Sequence, residues 1–223
     1  MAKIFITGSA DGLGQLAAKA LIAQGHQVVL HARNETRAQQ AMDQSPGAEG
    51  VVTADLAISD DTKELAAKVN ALGTFDAIIH NAGVYHDSAQ QIFAVNTLAP
   101  YILTCLINRP ERLIYLSSGM HMQGHFRPES FKGQGSISYS DSKLHVLMLT
   151  KAVARHWPDV YSNAVDPGWV PTKMGGEDAT DDLKKGYETQ VWLSTSNDAE
   201  ARVSGNYFHY QKATHNNPEA DDV

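Results

Sequence analysis

The sequence predicts an α/β fold, a doubly wound parallel sheet covered by helices on both faces. Short apolar segments alternate along the chain with longer segments of helical periodicity. The apolar segments show no polar–apolar alternation, which indicates strands buried on both faces, as in parallel sheets. Chemically distinctive residues follow almost every apolar segment. In such a sheet the strand ends share one edge, and ligands bind there.

The first predicted unit is a strand, a glycine-rich turn and a helix. Ile4–Ile6 form the strand, and the turn reads Thr-Gly-Ser-Ala-Asp-Gly-Leu-Gly over 7–14. Apolar residues between Leu13 and Leu21 then recur at helical spacing, and Gly25 marks the helix end. Backbone N–H groups and a helix N-terminus thus meet at one point, which favours binding of a diphosphate.

Each residue type in the turn has a physical reason. Gly8 permits the tight turn, Gly12 removes a Cβ where phosphates approach, and Gly14 lets the helix pack closely on the sheet.

The remaining elements follow in order. The segment 59–72 is predicted as a helix capped by Ser59, with Leu65, Ala66, Val69 and Leu72 on its buried face. Further strands are predicted at 27–31, 51–54, 75–79, 112–116, 160–165 and 206–210, and further helices at 35–44, 92–107, 138–156 and 178–194. Residues 1–212 therefore form a single domain, and the polar tail 213–223 is predicted to be disordered.

Composition narrows the class of protein. The 223 residues carry a net charge of -7 without a basic cluster, so nucleic acid is not an expected partner. Neither a signal peptide nor a membrane span is predicted, so we expect a cytoplasmic protein without a membrane partner. Cys105 is the single cysteine and lies in an apolar segment, which favours a buried, inert thiol. His121 and His125 lack a third ligand nearby, so no metal site is expected.

Tyr139 and Lys143 are the strongest candidates for chemistry. They are four residues apart at the start of a predicted helix and therefore share a face. An ammonium group near a phenol lowers the phenol pKa and prepares it for proton transfer to or from a carbonyl or alcohol oxygen. Ser118 follows a predicted strand and can hold the same oxygen, although Ser-Ser-Gly is also ordinary turn sequence.

Taken together, these motifs resemble the short-chain dehydrogenase/reductase family. The matching features occur in the family's order and cover the chain to about residue 210. They are Thr7-Gly-x-x-x-Gly-x-Gly14, Asn81-Ala-Gly83, Asn96, Ser118, Tyr139-x-x-x-Lys143 and Pro167-Gly168. The resemblance implies a single Rossmann-type domain that transfers hydride between a nicotinamide cofactor and a carbonyl or alcohol substrate.

The resemblance also implies roles for individual residues. Tyr139 would be the general acid/base, Lys143 would lower its pKa and hold the nicotinamide ribose, and Ser118 would orient the substrate carbonyl. Asn96 would support a proton-relay water. The remaining implied cofactor contacts are Gly8, Ser9, Gly12, Leu13, Gly14, Arg33, Asp55, Leu56, Asn81, Ala82, Gly83, Pro167, Gly168, Val170 and Thr172.

Two positions bear on cofactor choice. Ala32 stands where an acidic residue would bind the adenosine ribose of NAD, and Arg33 follows with a guanidinium that suits the 2′-phosphate of NADP. Arg37 can assist from the next helix. Asp11 argues the other way, because NADP-preferring relatives often carry a basic residue there. We therefore expect NADP as the preferred cofactor, with NAD as the alternative.

Several departures and alternatives remain. Ser118 and Tyr139 are separated by more residues than is common, so the loop 120–135 is an insertion predicted near the pocket mouth. Ser117 is the other candidate for the catalytic serine. Two rival functions are a dinucleotide-binding regulator without catalysis and a nucleotide-sugar epimerase or dehydratase. By resemblance, the chain is expected to form a homodimer or homotetramer through the helices 92–107 and 138–156.

Overall fold

A computed structural model describes residues 1–132 and 136–222. The predicted strands are present, several of them shifted by one or two residues. Their bounds are β1 Lys3–Ile6, β2 Gln27–Ala32, β3 Gly50–Thr53, β4 Ala77–His80, β5 Arg112–Leu116, β6 Tyr161–Asp166, β7 Tyr207–His209 and β8 Lys212–Ala213.

The helices lie between these strands. They are α1 Gly12–Ala23, α2 Glu35–Gln44, α3 Ser59–Ala71, α4 Ala89–Ile92, α5 Ala99–Leu106, α6 Tyr139–His156 and α7 Leu183–Thr195. A π-helical segment, Phe93–Leu98, joins α4 to α5, so the predicted helix 92–107 exists with an irregular first half.

The sheet confirms the predicted doubly wound topology. Its order is β3-β2-β1-β4-β5-β6-β7-β8, parallel throughout except for the antiparallel pair β7 and β8. The chain winds from β1 outward to β3 and then returns to β4 on the other side of β1. The connections after β1 and β4 therefore diverge, which opens a crevice at the carboxyl ends of these strands.

Alternation along β1 divides the core into two layers. Ile4 and Ile6 pack on one face against α1 and α7, whereas Phe5 packs on the other against α3, α5 and α6. All three side chains are fully buried. Because the central strands β1, β4 and β5 are largely apolar and buried, helices can cover both sides of the sheet and fix its carboxyl edge in place.

Three local predictions are wrong. Ile58, not Ser59, occupies the N-cap position of α3, and no side chain caps that helix. Leu72 follows the helix and is 44% exposed. Cys105 is exposed, because α5 turns Ala99, Leu103 and Thr104 toward the core and leaves Cys105 on the opposite face.

The segment after β8 also differs from the prediction, because it is packed and not disordered as far as residue 222. A 3₁₀ helix spans Pro218–Asp221. Asn217 and Ala220 are buried, and Ala220 packs against α6. Polar residues in this segment find partners on the protein, which the composition of the tail did not indicate.

The predicted insertion between Ser118 and Tyr139 contains two short 3₁₀ helices, Gly119–Gln123 and Pro128–Lys132. Its last part, residues 133–135, lies outside the described residues. Within the described part of the chain, no helix has the length and apolar character needed to cross a membrane.

Candidate active site

A cleft of about 620 Å³ opens at the carboxyl edge of the sheet, above β1 and its neighbours. Gly8 and Gly12, with φ angles of 63° and 55°, shape the turn that forms one wall. A Cβ added to Gly12 would meet nothing within 4 Å, so the backbone is open to the cleft there. An N-terminal helix end and an open glycine backbone fit the diphosphate of a dinucleotide.

Gly14 serves the packing of the turn and does not line the cleft. A Cβ at this position would lie 2.4 Å from Asn81 Nδ2 and 2.6 Å from the Gly8 carbonyl oxygen. Asn81 Nδ2 donates to the carbonyl oxygens of Thr7 and Gly8 at 3.0 and 3.1 Å. The absence of a side chain at Gly14 thus lets Asn81 tie the turn after β1 to the end of β4.

His31 is a residue of this site that sequence reasoning missed. Its buried ring accepts a hydrogen bond from Gly8 N at 3.0 Å through Nδ1 and lies 3.1 Å from the Ala54 carbonyl oxygen through Nε2. Burial lowers its pKa to about 4, so the ring is neutral and Nε2 carries the proton. A polar residue inside the apolar strand 27–31 was the available signal.

Ser9 contributes to the same network and does not reach the cleft. Its fully buried hydroxyl donates to the Ile6 carbonyl oxygen at 2.9 Å and accepts from His31 N at 2.9 Å. Ser9 was predicted as a cofactor contact, and in the structure its buried side chain holds the turn together.

Charged residues surround the outer end of the cleft. Arg37 and Lys173 both bind the Asp11 carboxylate, Lys173 at 3.1 Å. Burial favours a higher pKa for Asp11, but the hydrogen bonds from Lys173 and Arg37 outweigh it and hold the pKa below its usual value. Arg33 lines the cleft with an exposed guanidinium that pairs with no other described residue.

Five further residues that were predicted as cofactor contacts line the cleft. The side walls of the cleft include Leu13, Asp55, Leu56, Ala82 and Gly83. Asp55 accepts a hydrogen bond from Ala57 N at 3.0 Å, which shapes the turn after β3. Residues from four strand ends, β1 to β4, therefore converge on one cleft.

Tyr139 lines both this cleft and a second cavity of about 660 Å³. Ser117 and Ser118 both line the second cavity, and the Ser118 hydroxyl accepts a hydrogen bond from Met120 N at 3.2 Å. The buried Ser117 hydroxyl instead donates to the Lys143 carbonyl oxygen at 2.9 Å. The geometry thus separates the two serines and favours Ser118 as the one available to a substrate.

The pKa of Tyr139 differs from the prediction. Burial raises it to about 12, the hydrogen bond with Ser118 lowers it, and the charges of Asp166 and Tyr85 raise it. Tyr85, another residue that the sequence did not single out, packs edge-on against the Tyr139 ring with centroids 4.6 Å apart. The net shift is therefore upward, opposite to the predicted one, because burial dominates.

Lys143 is buried, and burial lowers its pKa to about 8. Its ammonium group donates to the Leu116 carbonyl oxygen at 2.8 Å and lies 5.4 Å from the centroid of the Tyr139 ring. The amine faces the cleft beside the carboxyl end of β5.

Asn96 lies behind Lys143, inside the π-helical segment. Its side chain exchanges hydrogen bonds with the backbone of Val84, at 2.8 Å to N and 2.9 Å to O, and donates to Ser142 Oγ at 3.0 Å. It does not line the cleft. Distorted helical turns of this kind often mark functional sites, and here the distortion places an amide between the loop after β4 and α6.

The segment after β6 covers the junction of the two cavities. Pro167 and Thr172 line both, while Gly168 and Val170 line the second. Gly168 has a φ of 79°, and a Cβ there would lie 2.6 Å from Asp181 Oδ2. The fold therefore brings the segment after β6 and Tyr139 together at the junction of the two cavities.

Comparison with known proteins establishes the family. The short chain dehydrogenase model matches residues 2–183. An uncharacterized oxidoreductase of Emericella nidulans is 44% identical over 100% of this chain and 92% of its own length. A short-chain dehydrogenase of Penicillium rubens is 41% identical over 93% of this chain and 86% of its own length.

A solved short chain dehydrogenase of Shigella flexneri, complexed with NADP, shares the fold. Its TM-score is 0.75 at 23% identity, with coverage of 95% of this chain and 97% of that one. The chain belongs to the short-chain dehydrogenase/reductase family and is an NAD(P)-dependent oxidoreductase. Nothing in the comparisons favours a non-catalytic regulator or a nucleotide-sugar enzyme.

Proposed function

We propose that this oxidoreductase reduces a small carbonyl compound to the alcohol and prefers NADP to NAD. The observation that carries the proposal is the position of Tyr139, which lines both the cofactor cleft and the second cavity. A phenol at this junction can serve a substrate in one cavity and a cofactor in the other. Tyr139, Ser118, Lys143 and Asn96 are the proposed catalytic set.

The bound cofactor would supply the hydride for the carbonyl carbon. Tyr139 would donate its proton to the carbonyl oxygen, which the Ser118 hydroxyl would hold in place. Because burial raises the pKa of Tyr139 to about 12, the phenol keeps its proton at neutral pH and is prepared for reduction. The Lys143 ammonium would bind the nicotinamide ribose, and Asn96 would support a proton-relay water beside it.

The preference for NADP rests on charge at the outer end of the cleft. Arg33 offers an exposed guanidinium directly after the buried Ala32 at the end of β2. Asp11, which on its own would repel a phosphate, is bound by Arg37 and Lys173. A guanidinium also matches phosphate geometry better than ribose hydroxyls.

The second cavity suggests the substrate class. Its lining contains the aromatic side chains of Tyr85 and Trp169 and the apolar side chains of Met120, Val170 and Met174. We therefore propose a carbonyl group on an apolar or aromatic skeleton. A homodimeric or homotetrameric assembly and a cytoplasmic location stay predictions of the sequence.

A panel of aromatic, alicyclic and aliphatic aldehydes and ketones tests the proposal, with NADPH or NADH consumption followed at the nicotinamide absorbance. We expect turnover of aromatic or alicyclic members with NADPH. Tyr139→Phe is the matched control, since it preserves the ring and removes only the hydroxyl. Carbonyl reduction that proceeds equally well in this variant would overturn the catalytic assignment.

A further inference from the structure

His121 links the segment 214–222 to the carbonyl group of Ser118. The imidazole is fully buried in the 3₁₀ helix that follows Ser118. Its Nδ1 lies 2.7 Å from the Ser118 carbonyl oxygen, and its Nε2 lies 3.2 Å from Asn217 N. A backbone N–H can only donate, so Nε2 is the acceptor and Nδ1 carries the proton given to Ser118.

The segment 214–222 also contacts other residues of the loop that contains His121. Asn217 Nδ2 donates to the carbonyl oxygens of His121 and Gly124 at 3.2 and 3.0 Å. Glu219 accepts from Phe126 N at 2.8 Å and pairs with His125 at 2.9 Å. The segment thus binds the loop that follows the serine at several points.

The other side of the segment rests on α6, the helix that begins with Tyr139. Ala220 is fully buried against Leu144, Leu147 and Met148 of this helix. Asp221 forms an ion pair with Lys151, also in α6. One short segment therefore contacts both the loop that carries Ser118 and the helix that carries Tyr139.

We infer that His121 is a positioning residue, which holds Ser118 in register with Tyr139 through the Nδ1–H bond and is itself fixed by Asn217. The inference rests on the proposed role of Ser118. Burial lowers the pKa of His121 and so favours the neutral ring that this arrangement requires. The His121 ring also packs edge-on against Tyr207, with centroids 4.5 Å apart, which limits its rotation.

A pair of substitutions separates the two ring nitrogens. An asparagine amide occupies the position of Nδ1, so His121→Asn keeps a donor to Ser118 and loses the link to Asn217. A glutamine amide reaches the position of Nε2, so His121→Gln keeps the link to Asn217 and loses the donor to Ser118. Both variants introduce an amide of similar polarity, and each serves as the control for the other.

We expect His121→Asn to keep kcat within about threefold and His121→Gln to lose about ten- to a hundredfold, because small displacements of a positioned group have effects of this size. The Kd for NADPH should be unchanged in both, since His121 does not line the cofactor cleft. Equal kcat values in the two variants, whether high or low, would contradict a role through Ser118.

Nitrogen-15 NMR of the wild-type protein provides a test that needs no substrate. We expect the Nδ1–H tautomer for His121, and the Nε2–H tautomer would overturn the inference even if both variants fail to fold. This readout is independent of the proposed function. If no carbonyl compound is turned over by the wild type, the proposed function fails while the tautomer still decides whether His121 donates to Ser118.

Discussion

Replacing Arg33 by alanine tests how the protein selects its cofactor. Arg33 is exposed at the mouth of the cleft, so its bond to a 2′-phosphate would be partly screened by water. A hydrogen bond to a charged group contributes about 1.5–3 kcal/mol, and exposure places Arg33 at the lower limit. About 1.5 kcal/mol corresponds to a roughly tenfold weaker Kd for NADPH.

The assay is titration of the protein with NADPH and NADH, followed by nicotinamide fluorescence. The Kd for NADH should change by less than about twofold, because NADH lacks the phosphate. Arg109→Ala is the matched control: Arg109 is also exposed, but it precedes β5 and so lies at the opposite edge of the sheet. Equal weakening of both cofactors in Arg33→Ala, or tighter binding of NADH by the wild type, would refute the assignment.

Two further predictions concern the glycine-rich turn. Gly14→Ala should abolish measurable NADPH binding or lower the melting temperature strongly, because its Cβ would lie 2.6 Å from the Gly8 carbonyl oxygen; Gly50→Ala, with nothing within 4 Å, should change neither. Because burial lowers the pKa of His31 to about 4, the unfolded state takes up the proton first as the pH falls. Neutral His31 therefore contributes up to about 3 kcal/mol to the free energy of unfolding. This contribution is complete above pH 6.5 and is lost as the pH falls toward 4. The free energy of unfolding, measured by urea unfolding at several pH values, should fall less steeply with decreasing pH in His31→Gln than in the wild type. The same pH dependence in both proteins would contradict this prediction.

The sequence was sufficient for the fold because most strands and helices carry their own local signal, although β8 and the 3₁₀ helix Pro218–Asp221 were not predicted. Apolar strands without alternation predict a parallel sheet, and glycines at 8, 12 and 14 predict the turn after β1. Local patterns could not predict the burial of a side chain where it depends on how a helix packs against the sheet. Cys105 belongs to an apolar stretch, yet the orientation of α5 on the sheet leaves it exposed.

Sequence reasoning could name candidate site residues where they follow a strand or share one face of a helix. Tyr139, Lys143 and Ser118 follow from their positions relative to strands and from spacing on a helix. His31 and His121 were missed as structural links, because their partners are more than twenty residues away or in a polar segment without a pattern. The pKa of Tyr139 also depends on burial, which the residue spacing does not encode.

The central claim, that Tyr139 supplies the proton during carbonyl reduction, is tested most directly by comparing kcat of the wild type and Tyr139→Phe on a substrate that the wild type reduces. General acid catalysis contributes about 10²–10⁴-fold, so we expect a loss of that size in kcat. The Kd for NADPH and the melting temperature should stay close to wild type, since the phenyl ring keeps the shape of the site. Turnover by Tyr139→Phe within about threefold of wild type would contradict the claim.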